Sequence, residues 1–273
     1  MFRPDLLRGQ VIVVTGGGTG IGRTIAHELA SLGAHVVLAA RREEKLAATA
    51  AEIAAAGGEA SCVATNVRDE QAVEGLFRRV VEERGALHGL VNNAGGQFVS
   101  PAEHITLKGW NAVIETNLTG IFLCCREAHR AWFGEHGGAI VNIVSEMWRG
   151  FPGMAHSGAA RAAVDNLTKT LAIEWATAGV RVNAVAPGLI ESSGLETYPE
   201  MVRGFLEEIR QDIPFQRMGT EAEVAGAVTF LLSPAAAYVS GETLRVDGAA
   251  SLWRKTWTIP AHDRFPRYTG WEE

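Results

Sequence analysis

VIVVTGGGTGIG, residues Val11 to Gly22, decides how the rest of the chain must be read. Val11 to Val14 are consecutive β-favouring apolar residues, the composition of a strand buried on both faces. Gly16, Gly17 and Gly18 then turn the chain, and from Gly20 onward Ile21, Ile25 and Leu29 fall on one helical stripe. Without side chains at Gly16 and Gly20, backbone can come close to a pyrophosphate. The helix N-terminus behind it offers free N–H groups and partial positive charge to that anion. The TGxxxGxG spacing differs from the GxGxxG of larger dinucleotide-binding dehydrogenases. A turn that merely joins strand to helix is the plainer alternative, but the setting between a buried strand and an amphipathic helix favours nucleotide binding.

Outward from this turn, Ala34 to Ala40 (AHVVLAA) reads as a second buried strand. In a nucleotide-binding βαβ unit an acidic residue about 20 residues past the glycines bonds the ribose hydroxyls and repels a 2′-phosphate. Ala40 holds that place here, followed by Arg41 and Arg42. A guanidinium pairs with a phosphate through two hydrogen bonds, whereas cations without a ligand are disfavoured at a helix N-terminus. The expected cofactor is therefore NADPH/NADP+ rather than NADH.

Further along, Leu46 to Ala56 reads as an Ala-rich helix, Ser61 to Val67 as a third strand and Glu70 to Arg84 as an amphipathic helix. Asn66, at a strand C-terminus, falls beside the adenine. A short strand then enters Asn92-Asn93-Ala94-Gly95-Gly96, where Asn92 is read as a structural cross-link between loops. Trp110 to Trp132 is a long helical pattern with Asn117 interrupting its apolar face; a buried Asn needs partners and so supports a water or backbone group near a site. Gly138 to Val144 is a fifth strand closing on Ser145 and Glu146, and a helix follows from His156 to about Ala178. Val180 to Val185 is a sixth strand, Ser192 to Gln211 a mobile helical flap, Glu221 to Leu232 a helix and Thr243 to Val246 the last strand. This alternation implies α/β architecture: one doubly wound parallel sheet in a single domain over residues 1–273, with a flap at about 192–215 and an extension at about 249–273. The extension carries Trp253, Trp257, Phe265, Tyr268 and Trp271, expected to pack on their own domain or a sister subunit rather than to wall a pocket.

Composition narrows the function classes. At 273 residues, 47% hydrophobic and 21% charged, the chain has ample core for one large domain. A net charge of −6 gives no general attraction to nucleic acid or acidic membranes, and no run approaches a transmembrane span or a signal-peptide core. Cys62, Cys124 and Cys125 have no metal or disulfide spacing and read as buried thiols. A cytoplasmic, metal-free protein acting on a small molecule is expected.

Together TGGGTGIG (Thr15 to Gly22), NNAG (Asn92 to Gly95), ETNLTG around Asn117, IVNIVS ending at Ser145, RVNAVAPG (Arg181 to Gly188) and the closing VDG resemble the short-chain dehydrogenase/reductase family, over about residues 8–250. The resemblance implies a Rossmann-type domain of seven strands, a nicotinamide cofactor and commonly tetramers; a homotetramer or homodimer is expected. It places the cofactor against Gly16, Thr19, Gly20, Ile21, Arg41, Arg42, Asn66, Val67, Asn93, Ala94, Gly95, Pro187, Gly188 and Ile190, with Arg161 on the nicotinamide ribose.

The departure from the family is chemically specific. Its usual pair is a Tyr and, four residues on, a Lys; Ser157 and Arg161 stand there, and no Tyr precedes Tyr198. Ser157 is a poor acid, and Arg161 exchanges no proton near neutral pH. Reducing a carbon–carbon double bond conjugated to a thioester asks less: charge develops on the thioester oxygen, where hydrogen-bond donors suffice, and water protonates carbon. HSGAARAAVDNLTKTLAIEWA (His156 to Ala176), LLSPAAAYVSG and the tail with PAHD (Pro260 to Asp263) are similar to the branch of peroxisomal trans-2-enoyl-CoA reductase and the 2,4-dienoyl-CoA reductases. In that enoyl-CoA reductase a Tyr stands four before a Lys inside the helix; Asp165 and Lys169 hold those places here and are read as an i,i+4 ion pair. The C-terminal Trp271-Glu272-Glu273 is no peroxisomal address.

The catalytic candidates are Ser145 and Ser157 as donors to the thioester oxygen, with Arg161, Asn117 and His156. Glu146 is a general acid only if burial raises its pKa, and otherwise a partner for Arg149; Tyr198 sits on the flap. The expected activity is NADPH-dependent reduction of an α,β-unsaturated acyl thioester. The alternatives are reduction of a ketone or 3-oxoacyl thioester through a relocated acid, His156 or Tyr198, and a catalytically silent NADPH-binding protein.

Overall fold

The computed structural model describes residues 2–192, 204, 208–254 and 257–272. Its centre is β1 (Val11–Thr15), whose five residues are all buried. From there β2 (His35–Ala40) and β3 (Glu59–Ala64) build to one side, and β4 (Gly89–Asn92), β5 (Gly138–Ile143), β6 (Val180–Pro187) and a last strand, Thr243–Val246, to the other. All seven are parallel, in the order β3-β2-β1-β4-β5-β6 and then Thr243–Val246. The order reverses between β1 and β4, and the crevice at the carboxyl ends of those strands is where an open α/β sheet takes its ligand.

Helices cover both faces. One core packs α1 (Gly20–Ser31), α2 (Glu43–Ala55) and a helix at Glu221–Leu232 against Ile12, Val14, Val36 and Leu38. The other packs α3 (Glu70–Arg84) and the helices of residues 107–174 against Val11, Val13, Leu90 and Ile140. Successive strand residues thus feed opposite cores, which is why the strands read as continuous apolar runs. A two-stranded ladder, β7 (Ile190–Glu191) with β8 (Gly219–Thr220), lies outside the main sheet. The helix after it, α8 (Glu221–Leu232), starts from a reciprocal capping box between Thr220 and Glu223, and the last main-sheet strand is β9.

Several boundaries differ from the sequence expectation. β3 ends at Ala64 because the chain turns there: the Asp69 N–H donates to Asn66 O, and the Asp69 side chain caps α3. β6 runs on to Pro187, held by pairing with β9 from Ala184 onward. The long helix expected from Trp110 begins at Leu107 and is built of α4 (Leu107–Ile114), α5 (Gly120–Ala128) and α6 (Gly134–His136), joined by π-helical segments at Glu115–Thr119 and His129–Phe133. α7 (Ala155–Glu174) stops earlier than expected and gives way to a 3₁₀ turn at Ala176–Ala178.

Part of the extension packs on its own domain, whereas Trp257, expected to be covered, is exposed. Trp271 stacks on His27 with centroids 4.3 Å apart, the Tyr268 hydroxyl donates to Glu28 (2.8 Å) and Phe265 stacks on Phe215 (3.6 Å). Much of the expected flap, with Tyr198, lies outside the described residues; of its described length, 204 and 208–211 are helical. Among the described residues no helix is long and apolar enough to cross a membrane, and no cluster of His, Cys, Asp or Glu could hold a metal ion.

Candidate active site

Thr15 ends β1 and ties the glycine turn to the loop after β4. Its Oγ1 donates to Val91 O (3.3 Å) and accepts from the N–H groups of Asn93 and Ala94 (both 3.0 Å). Asn93 Nδ2 donates to Thr15 O (3.1 Å) and Gly16 O (3.3 Å), so this side chain is spent on the turn itself. Gly16 has φ +68°, and a Cβ there would lie 2.8 Å from Asn93 Nδ2 and 3.1 Å from Ala94 Cα. Glycine is thus required at this position by the packing of the turn as well as by any approaching anion. Behind it α1 has Thr19 as its N-cap without a side-chain capping bond and no acidic residue in its first turn, so those N–H groups keep their capacity for an anion. Ile21 is half-buried beside them.

At the end of β2 Arg41 and Arg42 are exposed, and among the described residues neither guanidinium makes a hydrogen bond or ion pair. Asn66 is exposed and its Oδ1 accepts the Arg68 N–H (3.3 Å). Val67 is a buried residue whose side chain packs on Gly120 of α5. On the far side Pro187 closes β6, and a Cβ at Gly188 would strike Asp247 Cβ at 2.8 Å; Ile190 is buried against Gly219.

The catalytic candidates gather where β4, β5, the first π-helical segment and α7 meet. Asn117 is fully buried in that segment, and its amide grips Gly96 from both ends, accepting from its N–H (2.9 Å) and donating to its carbonyl (3.0 Å). The π turn is the local distortion that accompanies this arrangement, as such turns often do at functional sites. Arg161 reaches from the second turn of α7, only 8% exposed, and donates to Ile143 O (2.6 Å) at the end of β5. It has no carboxylate partner among the described residues, and burial lowers its pKa to about 10, so it stays cationic at neutral pH. Its guanidinium lies hard against Gly95, where a Cβ would be 2.4 Å from Nη2.

Ser145 Oγ is buried with no hydrogen-bond partner. Ser157 is fully buried, and its hydroxyl donates to Gln97 Oε1 (2.8 Å). His156 is fully buried too: Nδ1 accepts the Ser157 N–H (2.7 Å), Nε2 has no partner, and Phe98 meets the ring edge-on at 4.4 Å. Burial lowers its pKa, so the ring is neutral and held as a helix-capping group. Glu146 forms no ion pair with Arg149, whose Nη1 donates to Trp253 O instead (2.5 Å). Burial and the nearby Asp247 raise the Glu146 pKa against the pull of Arg149 and Arg245. Asp165 and Lys169 form the expected ion pair (2.5 Å), with Asp165 also accepting from Thr243 Oγ1 (2.6 Å). Of the described tyrosines, Tyr238 is fully exposed and Tyr268 is tied to Glu28.

Sequence reasoning missed Gln97, which stands one residue past the polar stretch that ends at Gly96. It also missed a buried chain behind the site. Asn92 Nδ2 donates to Asn142 Oδ1 (2.9 Å), and Asn142 Nδ2 donates to Thr168 Oγ1 (3.0 Å). Asn92 is structural, as expected. Cys125, beside it at 3.2 Å, is a buried thiol with its pKa pushed up to about 12.

A family model described as "Enoyl-(Acyl carrier protein) reductase" matches residues 16–250. The chain is a short-chain dehydrogenase/reductase. A probable 2,4-dienoyl-CoA reductase [(2E)-enoyl-CoA-producing] of Bacillus subtilis is 38% identical over 247 residues, covering 89% of this chain and 97% of that protein. Among solved structures, a citronellol catabolism dehydrogenase of Pseudomonas aeruginosa PAO1 superposes with TM-score 0.84 at 52% identity, covering 92% of this chain and 98% of that one. A putative NAD(P)-dependent gluconate 5-dehydrogenase from Beutenbergia cavernae, with NADP bound, superposes with TM-score 0.84 at 37% identity, covering 91% and 99%. Relatives named 3-oxoacyl-[acyl-carrier-protein] reductase are similar as well. As a short-chain dehydrogenase/reductase the protein is an NAD(P)-dependent oxidoreductase, and the residues present fit a dinucleotide: an uncapped helix start behind a side-chain-free turn, with two arginine side chains unpaired among the described residues at the end of β2.

Proposed function

We propose that the protein is an NADPH-dependent reductase of α,β-unsaturated acyl thioesters. The observation that carries this reading is Arg161: a buried cation without a carboxylate partner among the described residues, fixed by Ile143 O and Gly95, in a site with no tyrosine among the described residues. Such a group stabilises negative charge on oxygen without delivering a proton. Reduction of a conjugated thioester needs that division of labour, because its oxygen carries charge while carbon receives both hydride and proton.

When bound, NADPH supplies the hydride. In this reading Arg41 and Arg42 hold its 2′-phosphate, the α1 N-terminus with Gly16, Thr19, Gly20 and Ile21 its pyrophosphate, and Asn66 with the Val67 backbone its adenine. Asn93, Ala94, Gly95, Pro187, Gly188 and Ile190 line the nicotinamide end, and Arg161 orients the ribose. Ser145, whose buried Oγ has no partner, and Ser157 donate to the thioester oxygen. Asn117 fixes the Gly95–Gly96 loop against which Arg161 rests. The names of the 2,4-dienoyl-CoA reductases among the relatives agree with this substrate class.

Ketone reduction is favoured by one observation, the raised pKa of Glu146 beside Ser145, which keeps an acid within the site region. Burial of the His156 ring, which lowers its pKa, speaks against His156 as the relocated acid. The test is NADPH oxidation with a trans-2-enoyl-CoA and a 3-oxoacyl-CoA side by side, with NADH as cofactor control. Turnover confined to the enoyl substrate with NADPH supports the proposal. Turnover of the ketone alone overturns it and moves the search to Glu146 and Tyr198.

A further inference from the structure

A cavity opens in front of α1, between that helix, α2 and the start of α8. The glycine turn, residues 18–20, lines one part of it, and five charged side chains line the rest: Arg23 and Lys45, with the carboxylates of Glu52, Glu191 and Glu221. Carboxylates set beside a turn that takes a pyrophosphate repel the molecule it is meant to hold. The chain answers each of them separately. Glu52 accepts from Arg23 Nε (2.7 Å) and hydrogen-bonds His27 Nε2 (3.0 Å). Glu221 accepts the Thr24 hydroxyl (2.6 Å) and sits in the first turn of α8, where the helix dipole offsets its charge. The partner of Glu191 comes from 76 residues further on: Arg267 of the extension, whose Nη1 and Nη2 meet the two carboxylate oxygens at 2.6 and 2.9 Å.

Arg267 is delivered there by a fixed backbone. On one side of it, Phe265 O and Pro266 O accept from Arg217 Nε (3.1 Å) and Nη2 (3.0 Å). On the other, Tyr268 O accepts the Thr220 hydroxyl (2.9 Å), the Tyr268 hydroxyl donates to Glu28 of α1, and Trp271 stacks on His27. The guanidinium therefore reaches β7 in the bidentate geometry that suits a carboxylate. The two side chains are 46% and 44% exposed, so their pairing adds little to stability. Its consequence is the charge that faces the cavity. We propose that Arg267 is a cofactor-positioning residue supplied by the extension, cancelling the Glu191 carboxylate at the edge of the dinucleotide cavity and so setting affinity for the phosphates. This rests on the reading that the α1 N-terminus holds the pyrophosphate. The effect is larger on NADPH than on NADH, because the 2′-phosphate adds nearly two negative charges.

The signs of three substitutions separate charge cancellation from simple bracing. Arg267→Met leaves an uncompensated negative charge at the edge, Glu191→Gln an uncompensated positive one, and the double variant neither. Affinity is read by fluorescence titration of the free protein with NADPH and with NADH, at low and high salt. A unit charge about 8 Å from a phosphate dianion shifts Kd by about 3- to 5-fold at ~0.01 M salt and by less than about 1.5-fold at ~1 M. Arg267→Met is expected to weaken NADPH binding by that low-salt factor and Glu191→Gln to tighten it, with Arg267→Lys and the double variant within ~2-fold of wild type. NADH shifts less in each case. A bracing pair instead weakens binding in both single variants at any salt, and that result overturns the proposal, as does wild-type affinity of Arg267→Met at low salt. If Arg267→Met fails to fold, Glu191→Gln decides alone: tighter NADPH binding supports the proposal and weaker binding overturns it. A wild-type protein that binds neither NADPH nor NADH overturns the dinucleotide reading and the proposal with it, whereas the other adverse results leave that reading standing.

Discussion

Gly95→Ala tests the central electrostatic argument without touching a charged group. A Cβ on residue 95 would lie 2.4 Å from Arg161 Nη2 and 3.3 Å from Asn117 Oδ1. Comfortable carbon contacts begin near 3.5 Å, so the guanidinium must retreat by about 1 Å. It has little freedom to do so, being 8% exposed and held by Ile143 O at 2.6 Å. Overpacking of this kind costs about 1–3 kcal/mol, which lowers Tm by roughly 2–4 °C per kcal/mol in a domain of this size. Misplacing a catalytic group by about 1 Å costs on the order of 100-fold in rate. Gly96→Ala is the internal control, because a Cβ there meets nothing within 4 Å. The expected result is a kcat down roughly 100-fold for Gly95→Ala, with NADPH still bound by fluorescence titration, and a near-wild-type Gly96→Ala. A Gly95→Ala enzyme with wild-type kcat and Tm would refute the claim that the position of the Arg161 cation governs the reaction.

Three further outcomes follow from the same geometry. Arg161→Met removes a buried cation that no carboxylate compensates among the described residues, so thermal unfolding should show a gain of about 1–2 kcal/mol while kcat collapses; a large drop in Tm would count against it. Arg41→Ala and Arg42→Ala should each raise the KM for NADPH by roughly 10-fold or more and leave that for NADH nearly unchanged, since each removes a charge-assisted bond to the 2′-phosphate. Because the Glu146 pKa is raised in the fold, the native state binds more protons than the unfolded one, and stability falls as pH rises from the ordinary carboxyl value through the raised one. Glu146→Gln should therefore gain stability over wild type at pH 7, with the gap closing below about pH 4.5, as read by urea unfolding across pH.

The architecture was legible because it is encoded locally. Val11 to Val14, the glycines that follow and the Ile21–Leu29 stripe carry strand, turn and helix within one short segment, and each later unit repeats that logic with its own period. α3 and the Glu221–Leu232 helix kept their expected bounds, and in the fold the side chains of Asp69 and Thr220 cap their starts. Boundaries slipped where distant partners decide them: β6 is prolonged by β9, and the helix around Asn117 widens into a π turn that periodicity does not signal.

The candidate site divides in the same way. The sequence by itself determined the αβ sheet, the glycine turn, the arginines after β2 and the replacement of the usual Tyr and Lys by Ser157 and Arg161, since these are matters of residue type and spacing. Only the tertiary structure decided that Arg161 is a buried cation resting on Gly95, that the His156 ring is locked as a cap, and that the Ser157 proton belongs to Gln97. Burial, lone-pair direction and the sharing of a single proton arise between residues some 60 positions apart, and no local pattern of side chains encodes which of two hydrogen-bonding groups will face the other.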